Sequence, residues 1–117
     1  MAYANPELAA DILPLRAVHH IELFCGNAKQ SAYFYRLAFG FSLVAYRGPE
    51  TGERNKVSYA LQQDKIRLVL TTPLVEDDVI TPFLARHGDG ARDIAFECTD
   101  TDLAYAMTIE RGARSVE

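Results

Sequence analysis

The sequence has few of the features that would place it in a specialised class of protein. Two of its 117 residues are cysteines, too few for the disulfide framework of a small secreted domain. Basic residues are not in excess: the net charge of −4 leaves no electrostatic footprint for nucleic acid or an anionic membrane. No apolar run is long enough to span a bilayer. With 49% hydrophobic and 24% charged residues, the composition indicates an ordinary globular protein.

The N-terminal segment also lacks the basic start of a signal peptide. We therefore interpret residues 1–16 as a lead-in and expect a cytoplasmic protein. Cys25 and Cys98 each end a predicted strand, and we expect both to be buried free thiols.

The hydrophobic pattern predicts a strand, a helix and three further strands in residues 17–71. The first strand covers residues 17–25, and Asn27 is a suitable N-cap for a helix over 28–39 that ends at Gly40. Three short strands follow over 41–47, 56–62 and 65–71, the last two joined by a tight turn at Gln63-Asp64. The inward stripe of the helix is expected to consist of Ala28, Ala32, Tyr35 and Phe39.

Residues 73–90 are expected to form a connection with one short helix. Thr81 is its predicted N-cap, Pro82 its first residue, and the helix ends near His87. A strand over 92–98, a cap at 99–100 and a helix over 101–111 with Leu103, Ala106 and Met107 inward are predicted next.

The second strand and helix repeat the first. HIELFCGN aligns with DIAFECTD, so His20 matches Asp93 and Cys25 matches Cys98, 73 residues later. We therefore predict an α+β fold of paired βαβββ modules: the first over 17–72, the connection over 73–90, and the start of a second over 91–117. Because three strands of the second module are lacking, we expect a fragment, a truncated product or a half that pairs with another chain.

This module pattern resembles the vicinal oxygen chelate (glyoxalase-like) superfamily. Residues 17–115 resemble the N-terminal region of the 4-hydroxyphenylpyruvate dioxygenase family. The resemblance is carried by four segments in this order: CGNAKQSAYFYRLAFGF, LVAYRGPETGERNKVSYAL, KIRLVLTTPL and HGDGARDIAFEC. The hydroxymandelate synthases are close relatives that these segments do not separate.

The resemblance implies an Fe(II) enzyme of tyrosine catabolism that converts 4-hydroxyphenylpyruvate and O2 to homogentisate and CO2. In that family the two-His, one-carboxylate iron site belongs to the C-terminal half, so no iron ligand can be transferred to a position here. The resemblance therefore implies no catalytic, cofactor-binding or metal residue in this chain. It also implies that the aromatic 2-oxo acid and O2 bind to the C-terminal half of the protein. A homo-oligomer is implied as well.

The residues themselves leave one other metal hypothesis open. His20 lies at the first-strand position that can supply a ligand in this superfamily, and Glu22 shares its face, ~6–7 Å away. The residue that matches His20 in the second repeat is Asp93. The last strand of the first module, KIRLVLT, has no His or carboxylate. His20 is therefore favoured as a strand histidine paired to polar neighbours. His19 is expected to point to the helix-packed face, and His87 to be a cation at a helix C-terminus.

Other signals favour structural roles. No nucleophilic triad is indicated, because the motif is lacking around Ser31, Ser42 and Ser58. The segment GNAKQ lacks the glycine spacing of a phosphate loop. The acidic run 76–78 indicates a solvated loop. Aromatic residues crowding the first helix are expected in the core, with a subunit contact where they are exposed: Tyr33, Phe34, Tyr35, Phe39 and Phe41. Two alternatives remain: a stand-alone module that binds small ligands, and a small glyoxalase-type metalloenzyme, which would need His20 and an absent last-strand Glu.

Overall fold

The structure is a computed structural model, and it describes residues 13–116. Most of the predicted lead-in, 1–16, lies outside the described residues. The predicted order of strands and helices is observed, with a short 3-10 turn at Pro49–Thr51. The strands are β1 (Leu15–Phe24), β2 (Ser42–Arg47), β3 (Lys56–Gln63), β4 (Ile66–Pro73) and β5 (Gly90–Cys98); the helices are α1 (Ala28–Phe39), α2 (Ile80–His87) and α3 (Thr101–Glu110).

Helix α1 begins and ends where the sequence predicts. The side chain of Asn27 accepts a hydrogen bond from the backbone N–H of Gln30 at 3.0 Å, which satisfies one of the free donors of the first turn. Gly40 adopts a left-handed conformation (φ 82°), and its N–H bonds to the carbonyls of Arg36 and Tyr35. Because only glycine adopts this conformation without steric cost, Gly40 ends the helix efficiently.

The strands form one sheet in the order β2-β3-β4-β1-β5. β1 runs parallel to β4, whereas β2-β3 and β3-β4 are antiparallel. The β3-β4 turn is formed by Asp64 and Lys65, with Asp64 at φ 51°, because Gln63 still pairs with Ile66. The predicted turn at Gln63-Asp64 is therefore one residue too early. In β2 a bulge interrupts the pairing between Leu43 and Ala45.

Helix α1 packs on one face of the sheet and forms the main core there. Tyr35 is partly buried against this core, but Phe39 is 56% exposed. Phe39 has the inward angular position that the pattern predicted, but it lies in the last turn, where its ring contacts Phe34 and Tyr35, so the prediction that it is inward is wrong. The buried cluster consists of Cys25, Ala28, Ala32, Phe41, Leu61 and Leu70.

Helix α2 begins before the predicted cap. It starts at Ile80, so Thr81 is a helical residue and its hydroxyl accepts from the N–H of Asp77 at 3.0 Å. The carboxylate of Asp77 in turn accepts from the N–H groups of Thr81 (2.8 Å) and Val79 (3.3 Å). The prediction of Thr81 as N-cap is thus wrong, because Asp77 supplies the capping oxygen from further upstream.

We expect Asp77→Ala to destabilise the protein by about 1 kcal/mol at pH 7, because the first turn of α2 loses its acceptor. The hydrogen bond from the Thr81 N–H holds the pKa of Asp77 below its ordinary value of 3.8. The stabilisation is therefore complete above pH 3.8 and is lost as the pH falls through the lower, folded pKa. Urea unfolding at pH 7 would measure the loss of stability, and urea unfolding at pH 3 would measure how far the stabilisation declines in acid. Asp78→Ala is the matched control, since Asp78 is exposed; equal losses in the two variants would contradict the capping role.

Residues 13–116 divide into two compact units, 18–95 and the pair of segments 13–17 and 96–116. In the smaller unit the predicted cap is confirmed, since the Asp100 carboxylate accepts from the N–H of Leu103 at 3.0 Å. Ala104 is the buried residue of α3, whereas Leu103 and Ala106 are exposed. The prediction that Leu103 and Ala106 are inward is therefore wrong. The inward side of α3 is shifted by one residue, which is a rotation of about 100° around the helix axis. No helix within residues 13–116 is long and apolar enough to cross a membrane.

Candidate functional site

The sheet face turned away from α1, called here the far face, carries a set of polar side chains. Leu23 and its β4 partner Leu70 pack toward α1, so the alternate position of β1, Glu22, belongs to the far face. On β4 the far-face position is Thr71, and Ser58 of β3 pairs directly with it. The register of three strands therefore brings these polar residues together from distant parts of the sequence.

A chain of hydrogen bonds joins the three side chains. Thr71 donates from its hydroxyl to Glu22 Oε2 at 2.7 Å, and the Ser58 and Thr71 hydroxyls are 2.8 Å apart. Because Thr71 has a single hydroxyl proton, Ser58 is the donor in the second bond. Thr71 is fully buried, and Glu22 and Ser58 are half-buried. The carboxylate of Glu22 is thereby fixed in orientation and remains an acceptor.

Helix α2 closes one end of the far face. Phe24, two residues after Glu22 on the same side of β1, meets Phe83 of α2 edge-to-face with ring centroids 5.3 Å apart. Phe24 is 6% exposed and Ile80 of α2 is also buried. The Glu22 cluster is therefore bordered by an apolar wall at this end.

The adjacent histidines lie toward the opposite end of β1 and contact each other. The Nδ1 atoms of His19 and His20 are 2.9 Å apart, so one ring donates and the other accepts. Arg67 on β4 also donates to the carbonyl of His19 at 3.4 Å. His19 is exposed. The ring of His19 is therefore not buried against α1, and it turns toward His20.

The structure does not bring His20 and Glu22 into one ligand set. Glu22 is bonded to Thr71, and His20 to His19. Across residues 13–116, no group of three or more His, Cys, Asp or Glu side chains could hold a metal ion. A two-His, one-carboxylate iron centre needs three such donors around one point. The described donors therefore do not fit that centre.

The remaining sequence candidates lie apart from the far-face cluster. Cys25 is buried as predicted, and burial raises the pKa of its thiol. Cys98 is only half-buried, which corrects the prediction for this residue; its thiol lies 3.8 Å from the Thr101 hydroxyl. His87, in the last turn of α2, is exposed and stacks against Phe83 at 5.1 Å. Asp93 is exposed on β5.

Sequence reasoning missed Thr71 and Phe83. Thr71 was part of a predicted strand, but its role depends on the register of β4 against both β1 and β3. The parity of each strand could have placed Thr71 opposite the leucines, since Leu68 and Leu70 alternate with it. Nothing in the local sequence pairs Phe83 with Phe24.

Comparison with known proteins assigns this architecture to a superfamily. Residues 17–115 match the family model of the Glyoxalase/Bleomycin resistance protein/Dioxygenase superfamily, and the chain belongs to that superfamily. The predicted glyoxalase-like α+β fold is confirmed by this match and by solved structures. A mutant of 4-hydroxymandelate synthase from Streptomyces coelicolor superposes with a TM-score of 0.84 at 28% identity, over 89% of this chain and 32% of that one. A methylmalonyl-CoA epimerase variant from the same organism has a TM-score of 0.74 at 26% identity, over 88% and 74%.

Curated relatives confirm the narrower resemblance. The chain is 45% identical over 96 residues to the 4-hydroxyphenylpyruvate dioxygenase of Danio rerio, which is 81% of this chain and 24% of that protein. It is 35% identical over 125 residues to the enzyme of the same name from Coccidioides posadasii, covering 96% and 31%. The chain thus spans about a quarter to a third of the length of these relatives.

Proposed function

We propose that this chain is the N-terminal scaffold region of an Fe(II)-dependent dioxygenase that converts 4-hydroxyphenylpyruvate and O2 to homogentisate and CO2 in tyrosine catabolism. The observation that carries the proposal is the identity of 35–45% to proteins named 4-hydroxyphenylpyruvate dioxygenase, over most of this chain. In the proposal, residues 17–72 form one module, 73–90 the connection, and 91–117 the start of a second module.

The proposal assigns this chain no catalytic group and no iron ligand. Its support is the donor set of the far face: one carboxylate, held by Thr71 rather than by a histidine. The hydroxyl chain and the Phe24–Phe83 wall are then elements that stiffen the sheet. The iron, the 2-oxo acid and O2 would be bound by residues outside this chain.

The proposal includes a cytoplasmic homo-oligomer. Its support is the solvent side of α1, where Phe34 is 56% exposed and Leu37 is 68% exposed. Phe39, in the last turn, is also exposed and its ring packs against Phe34. Apolar side chains concentrated on one helix are typical of a protein contact surface.

Hydroxymandelate synthase is the second candidate, favoured by the TM-score of 0.84 to that enzyme. The two candidates share the substrate and differ in the product. A stand-alone module that binds a small ligand is a third candidate, favoured by the superposition on epimerases, of which the chain covers 74%.

A chimaeric enzyme tests the proposal. Residues 17–115 would replace the matching segment of the Danio rerio relative, and homogentisate and hydroxymandelate would be separated by chromatography. Replacing the segment could shift the catalytic groups by up to about 1 Å, and a shift of that size costs about a hundredfold in rate. We therefore expect a rate of homogentisate formation within about a hundredfold of that of the parent enzyme. The control chimaera carries the epimerase segment, which has the fold at 26% identity to this chain. A folded, iron-loaded chimaera that forms no product would contradict the assignment.

An anaerobic Fe(II) titration of the 117-residue chain tests the scaffold role separately. We expect no stoichiometric binding by the wild-type chain or by His20→Ala. Binding by the wild-type chain that His20→Ala abolishes would place a metal centre in this region. Turnover of 4-hydroxyphenylpyruvate by the isolated chain would also overturn the scaffold role.

A further inference from the structure

A cavity on the α1 side of the sheet takes no part in the far-face cluster. It has a volume of about 330 Å³ and lies between α1 and strands β2 and β3. This volume is at the lower end of the range for sites that bind small molecules. Its lining includes Lys29, Ala32, Tyr33 and Arg36 on α1, Leu43 on β2 and Tyr59 on β3.

The walls of the cavity are largely apolar and aromatic. Ala32 is buried at its base, and Leu43 comes from the strand. Tyr33 and Tyr59 supply rings from the helix and from the sheet. The ring of Tyr59 is held by Tyr46, 5.2 Å away edge-to-face, whose hydroxyl donates to Glu50 at 2.6 Å. The aromatic wall on the sheet side is therefore fixed before any ligand arrives.

The charge at the cavity is of one sign. Lys29 and Arg36 are seven residues apart on α1, so two helical turns bring them to the same side of the helix. No Asp or Glu lines the cavity. Among the described residues, neither cation forms an ion pair, the single ion pair there being Arg47–Glu53. Two uncompensated cations above an aromatic wall favour a ligand that combines an anion with an apolar body.

We propose that this cavity binds a small aromatic carboxylate. The ring of the ligand lies between Tyr33 and Tyr59 on the floor formed by Ala32 and Leu43. Its carboxylate is bound by Arg36, whose planar guanidinium matches two carboxylate oxygens, with Lys29 as a second cation. The site lies on the face opposite Glu22 and uses none of its cluster, so it stands or falls independently of the proposed function.

The experiment is a titration of the ¹⁵N-labelled 117-residue chain with phenylacetate, followed by amide chemical shifts. Phenylacetamide, which has the same ring and no charge, is the matched ligand. We expect saturable shifts at residues of α1, at Leu43 and at Tyr59, and much weaker shifts with the amide. Arg36→Gln should weaken phenylacetate binding by about tenfold or more, because the glutamine amide can replace one of the two hydrogen bonds of the guanidinium but not its charge.

Arg54→Gln is the control variant, because Arg54 is exposed and does not line the cavity. It should bind phenylacetate as the wild-type chain does. Equal binding of the acid and the amide, an unchanged affinity in Arg36→Gln, or shifts confined to other residues would overturn the proposal. Concentration-dependent shifts of Leu43 and Tyr59 without any ligand would show a second copy of the chain in the cavity and would also overturn it.

Discussion

Leu70→Ala is expected to lower the free energy of unfolding by about 2–5 kcal/mol. Leu70 is fully buried on β4, the strand that pairs with both β1 and β3, and its register partners are Leu23 and Tyr59. The truncated side chain would leave a cavity in the cluster beneath α1, and the paired strands restrict how far the neighbours can move to fill it. Urea unfolding followed by far-UV circular dichroism measures the loss.

Leu74→Ala is the matched control for this core substitution. Leu74 follows β4 and is 47% exposed, so the same chemical change should alter stability by no more than about 0.5 kcal/mol. Comparable losses in the two variants would contradict the placement of α1 on the sheet, because the burial of Leu70 depends on it.

Thr71→Val is expected to cost about 1–3 kcal/mol, although valine has nearly the same shape as threonine. The substitution removes the hydroxyl that donates to Glu22 and accepts from Ser58, and it does so at a fully buried position. Both partners are then left without that bond on a half-buried surface. Thr71→Ser keeps the hydroxyl and should cost less; equilibrium unfolding of both variants decides between a hydrogen-bonding role and simple packing.

A double-mutant cycle with Glu22→Ala isolates the Glu22–Thr71 bond. If the two side chains interact as the 2.7 Å distance indicates, the cost of Thr71→Val should fall by about 0.5–3 kcal/mol in the Glu22→Ala background. Strictly additive costs would mean that the bond contributes nothing to stability, and the fixed orientation of Glu22 would have to be abandoned.

Local chemistry was sufficient to predict the elements of the fold. The bounds of α1 follow from two residues, since Asn27 supplies the acceptor for its first turn and Gly40 the left-handed residue after its last. The strands were predicted within two residues at either end because their apolar alternation stops at turn residues. Three of the errors are of one kind: Thr81 as a cap, Leu103 as inward and the early β3-β4 turn each depend on a competing residue one or more positions away.

The candidate site was not predictable in the same way. Glu22 was recognised as a candidate, but its partner Thr71 is 49 residues away and the bond requires one particular register between β1 and β4. Strand patterns specify which residues share a face, and they do not specify which residue on the next strand lies opposite. His19 illustrates the limit again, because strand alternation does not predict that its ring contacts the ring of His20.

The bulge in β2 has a consequence for how copies of this protein meet. β2 is an edge strand, and such a strand offers unpaired N–H and C=O groups to any other extended chain. The pairing shift between Leu43 and Ala45 breaks the regular spacing of those groups in the middle of a strand that covers only Ser42–Arg47. A foreign strand could therefore align with one half of β2 and not with both. The exposed charge of Arg47 at its end adds a further barrier, so β2 is a poor template for cross-β aggregation.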